Sequence, residues 1–280
     1  MNYYKLTILS ILLPLLCCAE GVAEVKQPTE ILGISIGDDI AAALRVIREK
    51  NPKAYVAPVS ATIFDGKTDY KSDPKNPFIS GYEIQNYKNP RDYKDYEETI
   101  YLVNDLHASK NDKVLAIARK VFWPHGRTLT QNIHYKNVKE SLLQKYGEPD
   151  YMKISLDRKT KMENGCNLLW GAKPISAKLK NNPKAVVDSG FAAVRNTVKG
   201  GPENYMEKYN ASMHTEMPFL GCELYQSQGK KDMIGRLRCV LLDPELFQKS
   251  RENFRQQIES GKRRAKKKMS SGAAKNSIDL

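Results

Sequence analysis

Histidine, cysteine and tryptophan are scarce in this 280-residue chain, with four, five and two residues. Past residue 20 only Cys166, Cys222 and Cys239 remain. There is no Cys-x-x-Cys and no spacing that suits zinc. Three scattered cysteines cannot form a disulfide scaffold, so the fold must rest on an apolar core. His107, His125, His134 and His214 never fall at the i, i+4 spacing that puts two imidazoles on one helix face. Gly-x-Ser-x-Gly, Ser-x-x-Lys and His-Glu-x-x-His are all missing. No phosphate loop is present, because Gly200-Gly201 leads into Pro202. These gaps point away from the familiar hydrolases, metalloproteases and nucleotide-dependent enzymes, and no cofactor is expected.

Long apolar runs are missing too, except at the start. Lys5 precedes Leu6 to Leu16, an uncharged stretch too short to span a bilayer. Small residues follow at Cys17-Cys18-Ala19 and again at Gly21-Val22-Ala23. The pattern predicts a secretory signal peptide over residues 1–19, cleaved before Glu20 or before Glu24. The chain is therefore expected in the periplasm or outside the cell. Lipidation of Cys17 or Cys18 stays open, although neither has the small preceding residue that a lipoprotein signal favours.

What is present is an apolar fraction of 41%, enough to build a core, and a net charge of +13. About 255 mature residues suit one large domain or two small ones. Much of the charge is terminal: residues 249–280 hold ten Lys/Arg against three Asp/Glu, a net of +7. The segments expected are an α+β domain over residues 20–260, with two similar halves meeting near 125–150 as one option, and a basic flexible tail over 261–280. The halves rest on an apolar-Gly-polar entry to a short helix, followed by strands, that describes both.

Three helices are legible. The first covers Asp38 to Lys50, with carboxylates at its start, a stripe of Ile40, Leu44 and Ile47, and Asn51-Pro52 as its stop. The second covers about Thr130 to Tyr146, with Thr128 and Gln131 at capping-box spacing, Tyr135, Val138, Leu142 and Tyr146 as its stripe, and Gly147 after it. The third starts at Asp243-Pro244 and is expected to fray where Lys262 to Lys268 bring like charges together. Strand patterns occupy Thr99 to Val103, Lys113 to Trp123, Met152 to Leu156 and Leu168 to Trp170. Leu220, Cys222 and Leu224 alternate, as do Leu237, Cys239 and Leu241, around a polar, Gly229-containing link, which predicts a hairpin. Asp65 to Arg91 and Lys173 to Met213 read as long loops. The sum is an antiparallel sheet with helices on one face.

Ile34-Ser35-Ile36-Gly37-Asp38-Asp39 resembles the strand, glycine and capped-helix opening of many bacterial envelope proteins. Lys145-Tyr146-Gly147-Glu148-Pro149, Gly221-Cys222 and Leu242-Asp243 are similar to the motifs of a group of secreted bacterial proteins to which no activity is attached. A looser likeness is to the helix-plus-sheet modules of outer-membrane assembly lipoproteins and of the β-lactamase inhibitor protein. The resemblance implies export, an α+β outline and a binding role.

In the hairpin, aligning Leu224 with Leu237 also aligns Cys222 with Cys239. One disulfide including Cys222 is expected, with Cys239 and Cys166 as rival partners. Glu97-Glu98 reads as a solvated pair beside a strand, and His125 as a turn residue. Tyr70, Tyr82, Tyr87, Tyr93 and Tyr96, mixed with Lys and Asn, suit a protein or glycan contact surface. Lys262, Arg263, Arg264, Lys266, Lys267 and Lys268 place six positive charges in seven residues and suit an anionic surface. The functional expectation is a non-catalytic exported binding or envelope-associated protein, whose partner is another protein or an anionic envelope surface, with nucleic acid a lesser reading. The alternatives are an envelope hydrolase and a secreted host-directed protein that uses its basic tail.

Overall fold

The computed structural model describes residues 30–60, 79–86, 96–105, 113–124, 133–171, 182–200, 218–227 and 232–275. The first elements are a minimal hairpin, β1 (Glu30–Ile31) and β2 (Ile34–Ser35), turned by Leu32 and Gly33 at φ 60° and 82°. Positive φ at both positions suits the right-handed twist of paired strands. Helix α1 (Ile40–Lys50) starts where the Asp39 carboxylate accepts the amides of Ala41 and Ala42 at 2.9 and 3.1 Å. Asp38 instead turns back to accept the Ser35 amide at 2.7 Å. A meander follows: β3 (Tyr55–Ser60), β4 (Ile79–Gln85), β5 (Glu97–Asn104) and β6 (Val114–Phe122).

The second part repeats this order. Helix α2 (Tyr135–Tyr146) precedes β7 (Tyr151–Leu156), β8 (Glu163–Trp170), β9 (Phe219–Gln226) and β10 (Ile234–Leu242). A further helix, α3 (Pro183–Gly200), lies between β8 and β9, and α4 (Pro244–Lys275) ends the described chain. All eight strands from β3 to β10 form one antiparallel sheet in the order β3-β4-β5-β6-β10-β9-β8-β7.

That order has a two-fold character. The halves join where Arg119 on β6 faces Cys239 on β10. Outward from this pair the registers mirror each other. Ile100, Ile84 and Val56 follow on one side, and Cys222, Leu168 and Met152 on the other. The register shifts recur at matching places, Val59/Ser60 against Ser155/Leu156 and Val103/Asn104 beside the Ile234/Arg236 irregularity. The isolated bridges Asp39 to Lys113 and His134 to Met233 also correspond. Bulges re-aim a strand in a specific way, so their repetition marks the halves as versions of one α-β-β-β-β unit.

The α+β class and the antiparallel sheet agree with the sequence pattern; the helices differ from it in several respects. They cover both faces of the sheet. One core holds Ile47, Ile84, Ile100, Leu168 and Cys222 beneath α1 and α2. The other holds Tyr101, Ala116, Val187, Phe191 and Val240 beneath α3, with Phe247 and Phe254 of α4. Helix α3 falls inside Lys173 to Met213, and β4 inside Asp65 to Arg91, both stretches that read as loops. Gly190 explains how α3 lies so close: a Cβ there would meet the Phe219 ring at 3.1 Å and Val240 at 3.3 Å. Helix α2 begins at Tyr135 rather than near Thr130, with His134 as its cap residue and no side-chain bond to the helix end. Thr128 and Gln131 lie outside the described residues. Asp243 does cap α4, accepting the Leu246 amide at 3.0 Å. The helix then runs to Lys275 through the basic segment where fraying was expected. Lys, Arg and Ala are good helix formers, which offsets repulsion among the charges.

Candidate functional site

The centre of the sheet, on the α1/α2 face, is where the two halves meet. An apolar side chain is the natural occupant of each position in that row, yet β6 supplies Arg119. Its Nε donates to Glu98 Oε1 at 2.7 Å, and both side chains are largely withdrawn from solvent. Among the described residues Glu98 is its only charged partner. Glu98 is therefore not the solvated carboxylate its sequence context suggests: β5 pairs Glu98 with Val121, next to Arg119. Its neighbour Asn86 braces this corner by accepting the Glu98 amide at 3.0 Å and donating to the Tyr96 carbonyl at 2.8 Å.

Lys50 ends α1 and Lys145 stands in the last turn of α2, and both line hollows that Arg119 borders. Lys50 Nζ donates to the carbonyl of Leu32, the residue held at φ 60° in the β1–β2 turn. A left-handed leucine is strained by roughly 1–2 kcal/mol, so this bond supports an unfavourable turn. Lys145 pairs with Glu30 at 2.8 Å, and the Tyr146 hydroxyl donates to the Glu30 carbonyl at 3.1 Å. Burial works against the Lys145 charge, but the bond to Glu30 and the nearby Tyr146 hold its pKa above the ordinary value. Burial pushes the Tyr146 hydroxyl up as well.

Two hollows open on either side of Leu32. The larger, about 390 Å³, is lined by Ile31, Val138, Leu142, Leu237 and Cys239. The smaller, about 160 Å³, is lined by Ile47, Ile84, Ile100, Asn86 and Tyr96. Leu32, Lys50 and Arg119 border both. The result is a groove with apolar walls, the half-buried Arg119–Glu98 pair, and the exposed Lys50 and Lys145. Its three cations face two carboxylates, Glu98 and Glu30, leaving a surplus of one positive charge. Lys50 carries that surplus, because its partner is a neutral carbonyl.

Compared with protein-family models, curated proteins and solved structures, the chain finds no match.

The residues singled out from sequence distribute as follows. Cys222 and Cys239 form a disulfide across β9 and β10. The aligned pairs of the predicted hairpin, Leu220 with Leu241 and Leu224 with Leu237, are the observed ones. Cys166 is a buried free thiol. Burial pushes its pKa up, and the neighbouring Tyr135 hydroxyl works against that rise. The Tyr135 hydroxyl donates to Glu163 at 2.7 Å, and Lys139 reaches the same oxygen at 2.7 Å. His134 is exposed at the start of α2, and no three metal-binding side chains cluster among the described residues. Tyr82 and Tyr96 are partly buried against the α1/α2 core, Tyr96 with its ring 6.4 Å from that of Trp123. Tyr70, Tyr87, Tyr93, His107, His125, His214 and the 1–19 segment lie outside the described residues. Arg263, Lys266 and Lys267 are exposed on α4. No described helix is long and apolar enough to cross a membrane.

Arg119, Lys50 and Lys145 carry no sequence expectation as site residues, and Glu98 carries only that of a solvated carboxylate. One signal was available: Arg119 stands at the inward position of an alternating strand, between Ile117 and Val121.

Proposed function

We propose that the chain is an exported, non-catalytic binding protein, and that its ligand is a monoanion with an apolar body held in the groove around Arg119. The observation that carries this reading is the placement of Arg119 at the two-fold junction, flanked by Lys50 and Lys145 and walled by leucine, isoleucine and valine. A buried charge in a sheet centre is costly unless it is paired. Arg119 has Glu98, so it is tolerated, and the surplus from Lys50 attracts one negative group. The apolar walls then favour a chain or ring beyond it.

The test uses a series of straight-chain carboxylates, followed by titration calorimetry on the full mature protein. Lys50→Gln and Lys145→Gln each are expected to weaken binding about tenfold, roughly 1.4 kcal/mol. Uncharged alcohols of the same length should bind less well than the acids. Equal affinity for acids and alcohols, or unchanged affinity in both variants, refutes the assignment.

A second reading concerns α4. Phe254 is buried against the sheet, and every side chain described after it is exposed. The helix runs through the basic segment, where Arg263, Lys266 and Lys267 are exposed. Such a segment supports docking on an anionic envelope surface, at ~1 kcal/mol per basic residue near the headgroups. Co-sedimentation should show the mature protein on anionic but not neutral vesicles at low salt. A chain ending at Ser260 should stay in solution, and high salt should release the full one. Equal binding by both chains rejects the role.

A further inference from the structure

The two outer edges of the sheet are equivalent by the internal repeat, yet they are built differently. In β3 the edge position two residues after Val56 is Pro58, paired with Tyr82. Its counterpart in β7, two residues after Met152, is Ile154, paired with Cys166. Proline lacks an amide donor and protects a sheet edge from further pairing. The first half has that protection and the second does not.

The backbone of β7 faces outward where it matters. Cys222 and Cys239 stand with Cα atoms 4.2 Å apart, the short spacing of a non-hydrogen-bonded antiparallel pair. The amide and carbonyl of Cys222 therefore turn toward Leu168, its partner on β8. Leu168 bonds back to β9, so those of Met152 turn away from the sheet. The hairpin end agrees: the Asp157 amide points inward and donates to the Met162 carbonyl at 2.8 Å. Met152, Ile154 and Leu156 accordingly hold their amides and carbonyls at the outer edge.

Their side chains are also uncovered. Helix α2 lies chiefly over β9 and β10, and α3 meets β7 from the other face. Met152 is 47% exposed, Ile154 44% and Leu156 55%, with Met162 at 50% beside them. An apolar stripe along an open strand edge is the arrangement sheet proteins normally avoid unless another strand covers it.

We propose that β7 is an assembly edge, and that its occupant is the β7 of a second copy. The strand is complementary to itself. Antiparallel pairing about Ile154 sets Ile154 opposite Ile154, Met152 opposite Leu156, and Lys153 opposite Ser155. Ile154 then exchanges two amide-to-carbonyl bonds across the axis. The Lys153-centred register would oppose two ammonium groups, which cross-strand pairs disfavour. The axis stands normal to the sheet, so both apolar stripes fall on the same face and merge. The molecule already contains this kind of junction, because β6 and β10 join the two halves edge to edge in the same antiparallel sense.

The experiment is light scattering and sedimentation on the full mature protein at physiological salt, in the micromolar range. The expected mass is that of two chains. Ile154→Pro transfers the β3 device to β7 and removes only an outward amide, so the fold and melting profile should persist. It should weaken the dimer about a hundredfold or more. Ile154→Lys is the second variant, should the proline disturb the strand, and it too should yield monomers. Tyr55→Lys, on the β3 edge, should leave the dimer intact. A monomeric wild type overturns the proposal, as does a dimer that survives both changes at Ile154 or is lost with Tyr55→Lys.

Discussion

Replacing Glu223 by alanine should destabilise the protein by about 3–5 kcal/mol, the largest single-residue effect expected in this fold. Glu223 lies on β9 with its side chain wholly removed from solvent. Arg238, its partner on β10, contacts it directly and also contacts Asp188 of α3. Lys184 adds a second link, 2.6 Å from Asp188 and 3.3 Å from Glu223, and Arg236 stands 3.5 Å from Glu223. Three cations thus share two carboxylates between the sheet and α3. Removing Glu223 strands Arg238 in a low-dielectric setting with Asp188 alone. Removing both members of the pair should cost less than removing Glu223, because no buried charge is left over. Urea denaturation of Glu223→Ala and of Glu223→Leu with Arg238→Met decides the matter. A single variant within 1 kcal/mol of wild type, or a double variant worse than the single, contradicts the account.

The same cluster has a pH signature. Burial acts to raise the pKa of Asp188, but the bonds from Lys184 and Arg238 outweigh it and hold the carboxyl below its ordinary value. A depressed folded pKa contributes stability that is complete above the unfolded value. That stability fades as pH falls through the acid range toward the lowered one. Loss of helix signal on acidification should therefore begin near pH 4, the ordinary carboxyl value, and Asp188→Asn should flatten it.

Helix α3 shows why part of the fold escaped a reading by composition. Pro183, Gly190 and Gly200 make its segment look broken. Yet Pro183 stands at the first helical position, where proline is tolerated, and Gly190 is a contact residue rather than a break. The stripe Val187, Phe191, Val194 and Val198 has helical spacing throughout, and all four are buried. Periodicity carried the information that the glycine count obscured. For β4 the signal was weaker. Only Ile84 is a buried large side chain there, while Gly81 must accept the Leu102 carbonyl and the Val198 methyl close against its backbone. The groove had a different difficulty. Arg119, Lys50 and Lys145 are remote in sequence, and only the pairing of β6 with β10 sets them around one axis. The pairing within the β9–β10 hairpin was legible because two alternating runs, each centred on a cysteine, align in register, while the irregularity at Ile234/Arg236 leaves no mark in that alternation.

That hairpin carries the second large effect. Cys222 and Cys239 are separated by 17 residues, and closing a loop of that size stabilises by about 3 kcal/mol in the chain-entropy model. Replacing both by alanine should lower stability by that amount or more, since both side chains are buried and their removal leaves unfilled space. The choice between the rival partners follows from register. Cys166 faces Leu224 on β9, two residues from Cys222, whereas Cys239 lies directly opposite Cys222. Cys166 should consequently be the thiol left over. It is buried, with a pKa raised by that burial, so it should resist thiol reagents in the native protein and react once the chain is denatured. Counting thiols on an unreduced chain that starts at Glu20, in denaturant, should give one, and Cys166→Ala should bring it to zero without disturbing the disulfide. Three reactive thiols would show the bridge to be missing, and a bridge lost with Cys166→Ala would assign it to the wrong pair.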